Sequence, residues 1–157
     1  MVVELDDYSK IMALIPQKPP FRFIDGIISM DDKSIHSFYT FREDEFFYRG
    51  HFPLNPITPG VILIETMAQS GVVAHALFQM IKKGVSGEAL KQVISLFTLA
   101  DDISFHHRVL PKEKVLISGE KIFFRNNTMR SRVSIHLPDG TLVCQGTLTG
   151  AGAGMES

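Results

Sequence analysis

The stretch from residue 50 to residue 81 constrains the fold more than any other part of the chain. Pro53, Pro56 and Pro59 stand three residues apart in its first half. Each proline lacks a backbone N–H and biases the preceding residue away from the helical conformation, so this half is expected to be a stiff, extended loop. The second half is apolar on nearly every helical face, which is typical of a buried helix. The chain is therefore predicted to fold around one buried helix that a rigid loop precedes.

The predicted helix begins next to Gly60 and runs to about Lys82, which corresponds to a length of roughly 33 Å at 1.5 Å per residue. Thr58 is the candidate N-cap, and Pro59 stands at or near the first helical position, where a helix has no partner for the N–H in any case. Polar side chains, beginning with Glu65, interrupt the apolar run. We therefore interpret the segment as a core helix and not as a membrane span.

Glu65 does not fit a purely structural role in this helix. It stands in the apolar first turns, where an unpaired carboxylate is costly to bury, so such a group has a partner or a raised pKa. Gln69 follows one turn later on the same face, and His51 lies on the preceding loop. A histidine on a rigid loop, a glutamate on a buried helix and a free helix N-terminus are the parts of an acid–base site.

Three motifs in this stretch carry a resemblance: His51-Phe52-Pro53, Pro59-Gly60-Val61, and Glu65 with Gln69 four residues later. Together they resemble the signature of the (3R)-3-hydroxyacyl-[acyl carrier protein] dehydratases, which have the hot-dog fold. The fourteen-residue spacing from histidine to glutamate matches the form of that family with a catalytic glutamate. The segments 14–25, 103–105 and 109–111 are also similar to the family, so the resemblance extends through most of the chain.

Hydrophobic periodicity alone predicts an α+β chain with one central helix and several antiparallel strands. The resemblance implies the hot-dog fold, a long central helix wrapped by a curved antiparallel sheet of about six strands. We predict one hot-dog domain over residues 1–157, with a loose lead-in or short helix in residues 1–10 and a flexible tail in residues 150–157. The predicted strands are 21–30, 34–42, 93–105, 115–124, 129–137 and 141–148, with a loop in residues 85–91 and a bend or bulge in the third strand around residues 100–102.

Composition excludes several classes of function. The chain is 45% apolar and 21% charged with a net charge of −1, and it has no basic tract and no zinc pattern, so we expect no nucleic-acid binding. Cys144 is the single cysteine, which excludes an intramolecular disulfide framework and favours a cytoplasmic protein. The first residues do not have the pattern of a signal peptide. We expect no membrane association, no metal and no other cofactor.

The resemblance implies a hydro-lyase that converts a 3-hydroxyacyl thioester to the trans-2-enoyl thioester. His51 suits the base that removes the C2 proton, because histidine exchanges its proton near neutral pH. Glu65 suits the acid that protonates the departing C3 hydroxyl, provided that burial keeps it protonated. The backbone N–H of Gly60 suits the donor to the thioester carbonyl, because N–H groups at a helix start are unpaired.

Further residues flank this set. Gln69 is a candidate for orienting Glu65 or a water molecule, and Phe52, Pro59 and Val61 are the remaining candidates for substrate contact. Each assignment has a structural alternative. The glutamate could be a structural carboxylate satisfied by N–H groups near the helix start, and for the glutamine a structural role is the stronger alternative.

The resemblance also implies partners. The substrate would be carried by an acyl carrier protein, and the histidine of one subunit would face the acid of the other in a homodimer with shared active sites, with a trimer of dimers as a further form. An acidic carrier would need a basic docking patch, although ordinary solvated charges are an equal alternative. The candidates are Lys82, Lys83, Lys91, Arg108, Lys112, Lys114, Arg125, Arg130 and Arg132.

The sequence leaves two rival functions open, and near the predicted catalytic pair it departs from the family pattern at two positions. A hot-dog thioesterase would use Glu65 to activate water, and a non-catalytic acyl-chain binding subunit would need neither Glu65 nor His51; the presence of both argues for elimination. Leu54 stands where the family usually has glycine, and Thr58 where methionine is common. Chain length and the choice between fatty-acid and specialised polyene or polyketide-type synthesis are therefore left open.

Overall fold

The structure, a computed structural model, describes residues 5–154 and the side chains of residues 8–153. Its helices are Leu5–Leu14, a 3₁₀ helix Phe46–Arg49, the central helix Gly60–Lys82 and the short helix Gly87–Leu90. One antiparallel sheet has the strand order β1-β2-β4-β5-β6-β3. The strands are β1 (Gly26–Met30), β2 (Ser34–Thr40), β3 (Val93–Phe105), β4 (Lys114–Arg125), β5 (Thr128–His136) and β6 (Leu142–Gly154).

The sheet packs around the central helix, which confirms the predicted hot-dog arrangement of one long helix and about six strands. The helix is apolar on all sides because it is surrounded. Ile62, Leu63 and Met67 in its first half join one buried cluster with side chains of the sheet. Leu77 and Met80 in its second half join another cluster with the N-terminal helix. The central helix therefore contributes side chains to both hydrophobic clusters of the core.

Glycines set the closest approach between the helix and the sheet. A Cβ atom at Gly71 would lie 2.4 Å from Cγ2 of Val133, and a Cβ atom at Gly119 would lie 3.0 Å from Cα of Gly71. No larger residue fits at position 71 without a shift of its neighbours. The hydrogen bonding of the helix widens to the π type over Gln69–Ala74, in the same region. The sequence did not predict this π segment.

The predicted bounds of the central helix are confirmed, but the predicted N-cap is wrong. Pro59 is the residue before the first helical turn, and no side chain caps the helix there. The Thr58 side chain is 4% exposed, and its hydroxyl lies 2.7 Å from the hydroxyl of Tyr48. Thr58 therefore turns toward the core, and its hydroxyl does not reach the helix N-terminus.

Two strands differ from their predicted bounds by more than two residues at one end. The first begins at Gly26 and not at residue 21, because the backbone of residues 21–23 is bonded to a side chain of the central helix. β6 continues to Gly154, because Gly150 pairs with Phe97 and the pairing with β3 continues to the end of the strand. Residues 150–154 are thus part of the sheet, contrary to the predicted flexible tail, and residues 155–157 lie outside the described part.

The N-terminal segment and the loop after the central helix also differ from expectation. Residues from Leu5 onward form a helix, so the short helix named as an alternative to a loose lead-in is the observed form there, and residues 1–4 lie outside the described part. The predicted loop 85–91 contains the short helix Gly87–Leu90, which the side chain of Ser86 caps by accepting a hydrogen bond from the N–H of Ala89. β3 has irregular pairing between Asp101 and Ser104, close to the bulge expected from the sequence.

Within residues 5–154, the central helix is the one helix whose length and composition would allow it to cross a membrane. Its mean hydropathy is 1.5, and 83% of its most apolar window is buried by the rest of the fold. The rest of the fold therefore covers the apolar surface of this helix, as expected for a core helix.

Candidate active site

His51 lies at the start of the proline-rich loop, directly after the 3₁₀ helix Phe46–Arg49. Its N–H donates to the carbonyl of Phe47 at 3.1 Å, and its ring Nδ1 lies 2.9 Å from the carbonyl oxygen of Ile57. A carbonyl oxygen only accepts hydrogen bonds, so this contact places the proton of the neutral ring on Nδ1. The other ring nitrogen, Nε2, is then left with a lone pair and can accept a proton.

Phe52, beside the histidine, and Val61, at the helix start, are candidates for substrate contact, and both are exposed. The ring of Phe52 stacks on the ring of His51, with centroids 4.1 Å apart and an interplanar angle of 24°. Phe52 is 50% exposed and Val61 is 72% exposed, whereas Pro59 is buried. The apolar surface of Phe52 and Val61 is therefore free for contact with another molecule.

Gly60 provides a backbone donor at the start of the central helix. The first helical hydrogen bonds are donated by the N–H groups of Ile62 and Leu63, both to the carbonyl of Pro59, at 3.0 and 3.2 Å. The N–H of Gly60 precedes this ladder, at the positive end of the helix dipole. A Cβ atom at this position would lie 3.0 Å from the ring of Phe105, so a larger residue would need this half-exposed ring to shift by a few tenths of an ångström.

Glu65 is half-buried on the central helix, and desolvation by burial raises the pKa of its carboxyl above the ordinary value of 4.5. Gln69 donates a hydrogen bond from Nε2 to Glu65 Oε1 at 2.9 Å, which opposes the rise to a smaller extent. Burial therefore wins, and it favours the protonated form that a general acid needs.

Gln69 is fully buried and holds Glu65 to the loop that follows the N-terminal helix. Its Oε1 accepts a hydrogen bond from the N–H of Phe23 at 2.6 Å, and its Nε2 donates to the carbonyl of Phe21 at 3.0 Å as well as to Glu65. The side-chain amide thus connects the central helix with a loop that lies more than 40 residues away in sequence. This geometry is compatible with the predicted role of Gln69 in orienting Glu65.

A cavity of about 260 Å³ opens beside Glu65. Its walls come from the central helix, the loop after the N-terminal helix, β3 and β6, and they include Phe21, Leu96 and Phe97. These three residues were not among the site residues predicted from the sequence. Phe21 belongs to a segment similar to the dehydratase family, but no local pattern connects it, or the apolar positions of β3, with the helix.

His51 does not line this cavity, and no hydrogen bond connects it to Glu65 in the described part of the chain. One chain thus brings Glu65 and Gln69 together beside the cavity and presents His51 elsewhere. His106 and His107 stand next to each other and contact Ser104 and the carbonyl of Arg108 respectively. Within residues 5–154, no group of three or more His, Cys, Asp and Glu side chains is arranged to hold a metal ion.

Comparison with known proteins gives one family. A family model described as a FabA-like domain matches residues 15–149. The 3-hydroxyacyl-[acyl-carrier-protein] dehydratase FabZ of Caldicellulosiruptor bescii is 32% identical over 140 residues, which cover 88% of this chain and 93% of that protein.

Solved structures give the same fold. The dehydratase heterocomplex ApeI:P from Xenorhabdus doucetiae is similar with a TM-score of 0.75, over 92% of this chain and 91% of that one, at 14% identity. A thioesterase from Pseudomonas aeruginosa is similar with a TM-score of 0.64, over 97% of both chains, also at 14% identity. At these identities the likeness shows the fold alone, and the fold is shared by dehydratases and thioesterases.

Proposed function

This chain belongs to the FabA-like family and to its 3-hydroxyacyl-[acyl-carrier-protein] dehydratases, and we propose that it converts (3R)-3-hydroxyacyl-[acyl carrier protein] to the trans-2-enoyl form in fatty-acid biosynthesis. The observation that carries this proposal within the site is Glu65, a half-buried carboxyl with a raised pKa on the wall of a mostly apolar cavity. An acid in such a place can protonate a leaving hydroxyl while the acyl chain occupies the cavity.

The elimination assigns one task to each group. Nε2 of His51 takes the C2 proton, and the C–H electron pair moves toward the thioester carbonyl, whose oxygen gains negative charge. The N–H of Gly60 donates to that oxygen. Glu65 gives its proton to the C3 hydroxyl, the C3–O bond breaks, and water leaves as the C2–C3 double bond forms. Proton transfer from the imidazolium and to the carboxylate, through solvent, restores both residues.

A homodimer would complete this site. β3 lies at the edge of the sheet, and in the described part of the chain it pairs with β6 alone. It is thirteen residues long, and Leu96, Phe97 and Leu99 are about half exposed on it. A long apolar edge strand is normally covered, because its free N–H and C=O groups pair readily with another strand. We infer that two copies meet along β3 and that His51 of one copy serves Glu65 of the partner subunit.

An acidic acyl carrier protein would dock near the proline-rich loop. Of the nine basic candidates, Lys82, Lys91, Lys112 and Arg130 form ion pairs with carboxylates of this chain. Arg108 lines a groove beside Leu54, which is 92% exposed, and Lys112 lines the same groove. Lys112 is paired with Glu43 of the same groove, so Leu54 and Arg108 are the residues that would suit an acidic partner with an apolar contact residue. We place the docking contact at this groove.

The thioesterase alternative is weaker on chemical grounds. A carboxylate that activates water must be ionised, whereas burial raises the pKa of Glu65 and favours the protonated form. A non-catalytic acyl binder would not require that acid. A trimer of dimers, a cytoplasmic location and a specialised polyene or polyketide-type pathway stay predictions from the sequence.

The test is a dehydration assay with carrier-linked 3-hydroxyacyl chains, which follows the absorbance of the conjugated enoyl thioester and, in parallel, the release of free thiol. His51→Ala and Glu65→Gln should each lower kcat by about 10²–10⁴-fold, the range of general acid–base catalysis. His36→Ala removes an exposed histidine on β2 and should leave the rate unchanged. Thiol release without enoyl formation, or full activity in Glu65→Gln, would contradict the proposal.

A further inference from the structure

A second and smaller cavity, of about 20 Å³, follows the first one along the central helix. The two cavities share four lining residues: Val72 and Val73 on the helix, Ser95 on β3 and Gly150 on β6. We propose that Val72 and Val73 form the end wall of the acyl site and set the longest chain that this enzyme dehydrates. The assignment rests on the proposed function, because it takes the larger cavity as the place of the acyl chain.

The wall consists of side chains and not of backbone. Val72 and Val73 are 4% and 6% exposed, so both are fixed in the packing. A Cβ atom at Gly150 would lie 2.7 Å from Cγ1 of Val72, which shows that this methyl group packs directly on the backbone of β6. Beyond the wall, the smaller cavity is lined by Leu77 and Met80. Removal of the Val72 methyl groups would therefore join the two cavities.

The position of the wall corresponds to a chain of medium length. Seven residues separate Glu65 from Val72, which is about 10.5 Å along the axis at 1.5 Å per residue. An extended chain advances about 1.2 Å per bond, as a fully extended backbone does over its three bonds per residue. If C3 lies at Glu65, about nine bonds reach the wall, and the limit falls at about twelve carbons.

The volume of the larger cavity leads to a similar limit. About 260 Å³ holds roughly nine groups of about 30 Å³, the share of one water molecule in the liquid, and a methylene group is of similar size. The remaining carbons, C1 to C3, lie at the catalytic groups. Distance and volume are separate quantities, and both lead to a limit of about twelve carbons.

The test measures kcat/KM for carrier-linked 3-hydroxyacyl chains of six, ten, fourteen and sixteen carbons. In the wild type, kcat/KM should fall by about tenfold or more between ten and fourteen carbons, since even one excess methylene group in an apolar pocket has an effect of this size. Val72→Ala should largely remove this fall. Val72→Ile, which adds one methyl group to the wall, should shorten the limit by about one carbon and so deepen the fall between ten and fourteen carbons.

Val115→Ala is the matched control. Val115 is fully buried on β4 and lines neither cavity, so its truncation should lower stability but leave the ratio of rates for ten and fourteen carbons unchanged. Because each variant is judged by a ratio between its own substrates, a general loss of folded protein cancels. An unchanged ratio in Val72→Ala, or an equal change in Val115→Ala, would overturn the proposal. A wild type inactive at every length would instead contradict the proposed function itself.

Discussion

At the residue scale, Glu65 and Gln69 form a hydrogen-bonded pair, and Gln69 connects this pair with the loop that contains Phe21 and Phe23. The amide of Gln69 uses its oxygen for the N–H of Phe23 and its nitrogen for both Glu65 and the carbonyl of Phe21. This contact orients Oε1 of Glu65, and within residues 8–153 no further hydrogen bond to the carboxyl is found. The same amide anchors Phe21, which lines the cavity, so orientation of the acid and shape of the cavity depend on one side chain.

Gln69→Ala should shift the pH dependence of the dehydration. The glutamine hydrogen bond lowers the pKa of Glu65 against the larger effect of burial, so its removal raises that pKa further. In the proposed mechanism Glu65 acts in its protonated form, so activity would be lost as pH rises through its pKa. The alkaline limb of the pH–rate profile should therefore move to higher pH, while kcat falls because the acid is no longer oriented.

Stability gives the matched comparison for this variant. Gln69→Ala leaves the buried N–H of Phe23 unpaired, which should cost about 1–3 kcal/mol of unfolding free energy. Gln79→Ala removes another glutamine of the same helix, one that donates to the carbonyl of Asp32 at 3.0 Å. It should lower stability without moving the alkaline limb. A limb that stays in place in Gln69→Ala would argue against the positioning role.

At the scale of elements, the central helix packs close to the sheet because Gly71 has no side chain. The π segment Gln69–Ala74 and the contact of Gly71 with Gly119 and Val133 lie together. The same segment contains Val72 and Val73, the proposed end wall of the acyl site. The depth at which the helix sits in the sheet therefore decides both the packing of the core and the length of the cavity.

Gly71→Ala should destabilise the fold by about 1–3 kcal/mol, the usual range for overpacking a close-packed core. The new Cβ atom would lie 2.4 Å from Cγ2 of Val133, so the neighbour must shift. Gly87→Ala is the control, because no atom lies within 4 Å of its Cβ position, and it should be neutral or stabilising. Urea unfolding followed by circular dichroism measures both.

Val133→Ala provides a further test of the same contact. It removes the methyl group that the new Cβ atom meets, so the double variant should lose less free energy of unfolding than the sum of the two single variants. Additive losses would show that the contact between Gly71 and Val133 does not limit the approach of the helix.

At the scale of the whole molecule, one chain does not bring His51 to the cavity that Glu65 lines. Glu65 lines the cavity and His51 does not, while β3 presents an exposed apolar edge. A two-fold pairing along β3 would cover that edge. It would also supply each Glu65 with a histidine from the partner, because every contact in a two-fold symmetric dimer occurs twice, once in each direction. Assembly and catalysis would then be inseparable.

Mixing two inactive variants tests this arrangement. When His51→Ala and Glu65→Gln are refolded together, half of the dimers are mixed, and each mixed dimer has one intact site, so about a quarter of the wild-type activity should return. The control replaces Glu65→Gln with the double variant, which leaves no intact site in any dimer. If the histidine and the glutamate of one chain worked together, the mixture would stay inactive, because every chain lacks one of the two groups.

The sequence by itself determined the features that depend on neighbours along the chain. The prolines and the all-round apolar pattern predicted the loop and the central helix, and the one-turn spacing of Glu65 and Gln69 placed them on one face, because helix geometry is local. The position of Gly60 at the helix start followed in the same way. The resemblance then identified His51 and implied the fold.

Only the tertiary structure decided the contacts between distant segments. Gln69 bonds to Phe21 and Phe23, which lie 48 and 46 residues away in the chain. β3 lies at the sheet edge beside β6, although β4 follows it in sequence. Strand order and the depth of helix packing depend on the sum of many weak contacts across the core, and no local spacing encodes that sum. The cavity, its end wall and the separation of His51 from Glu65 follow from that packing.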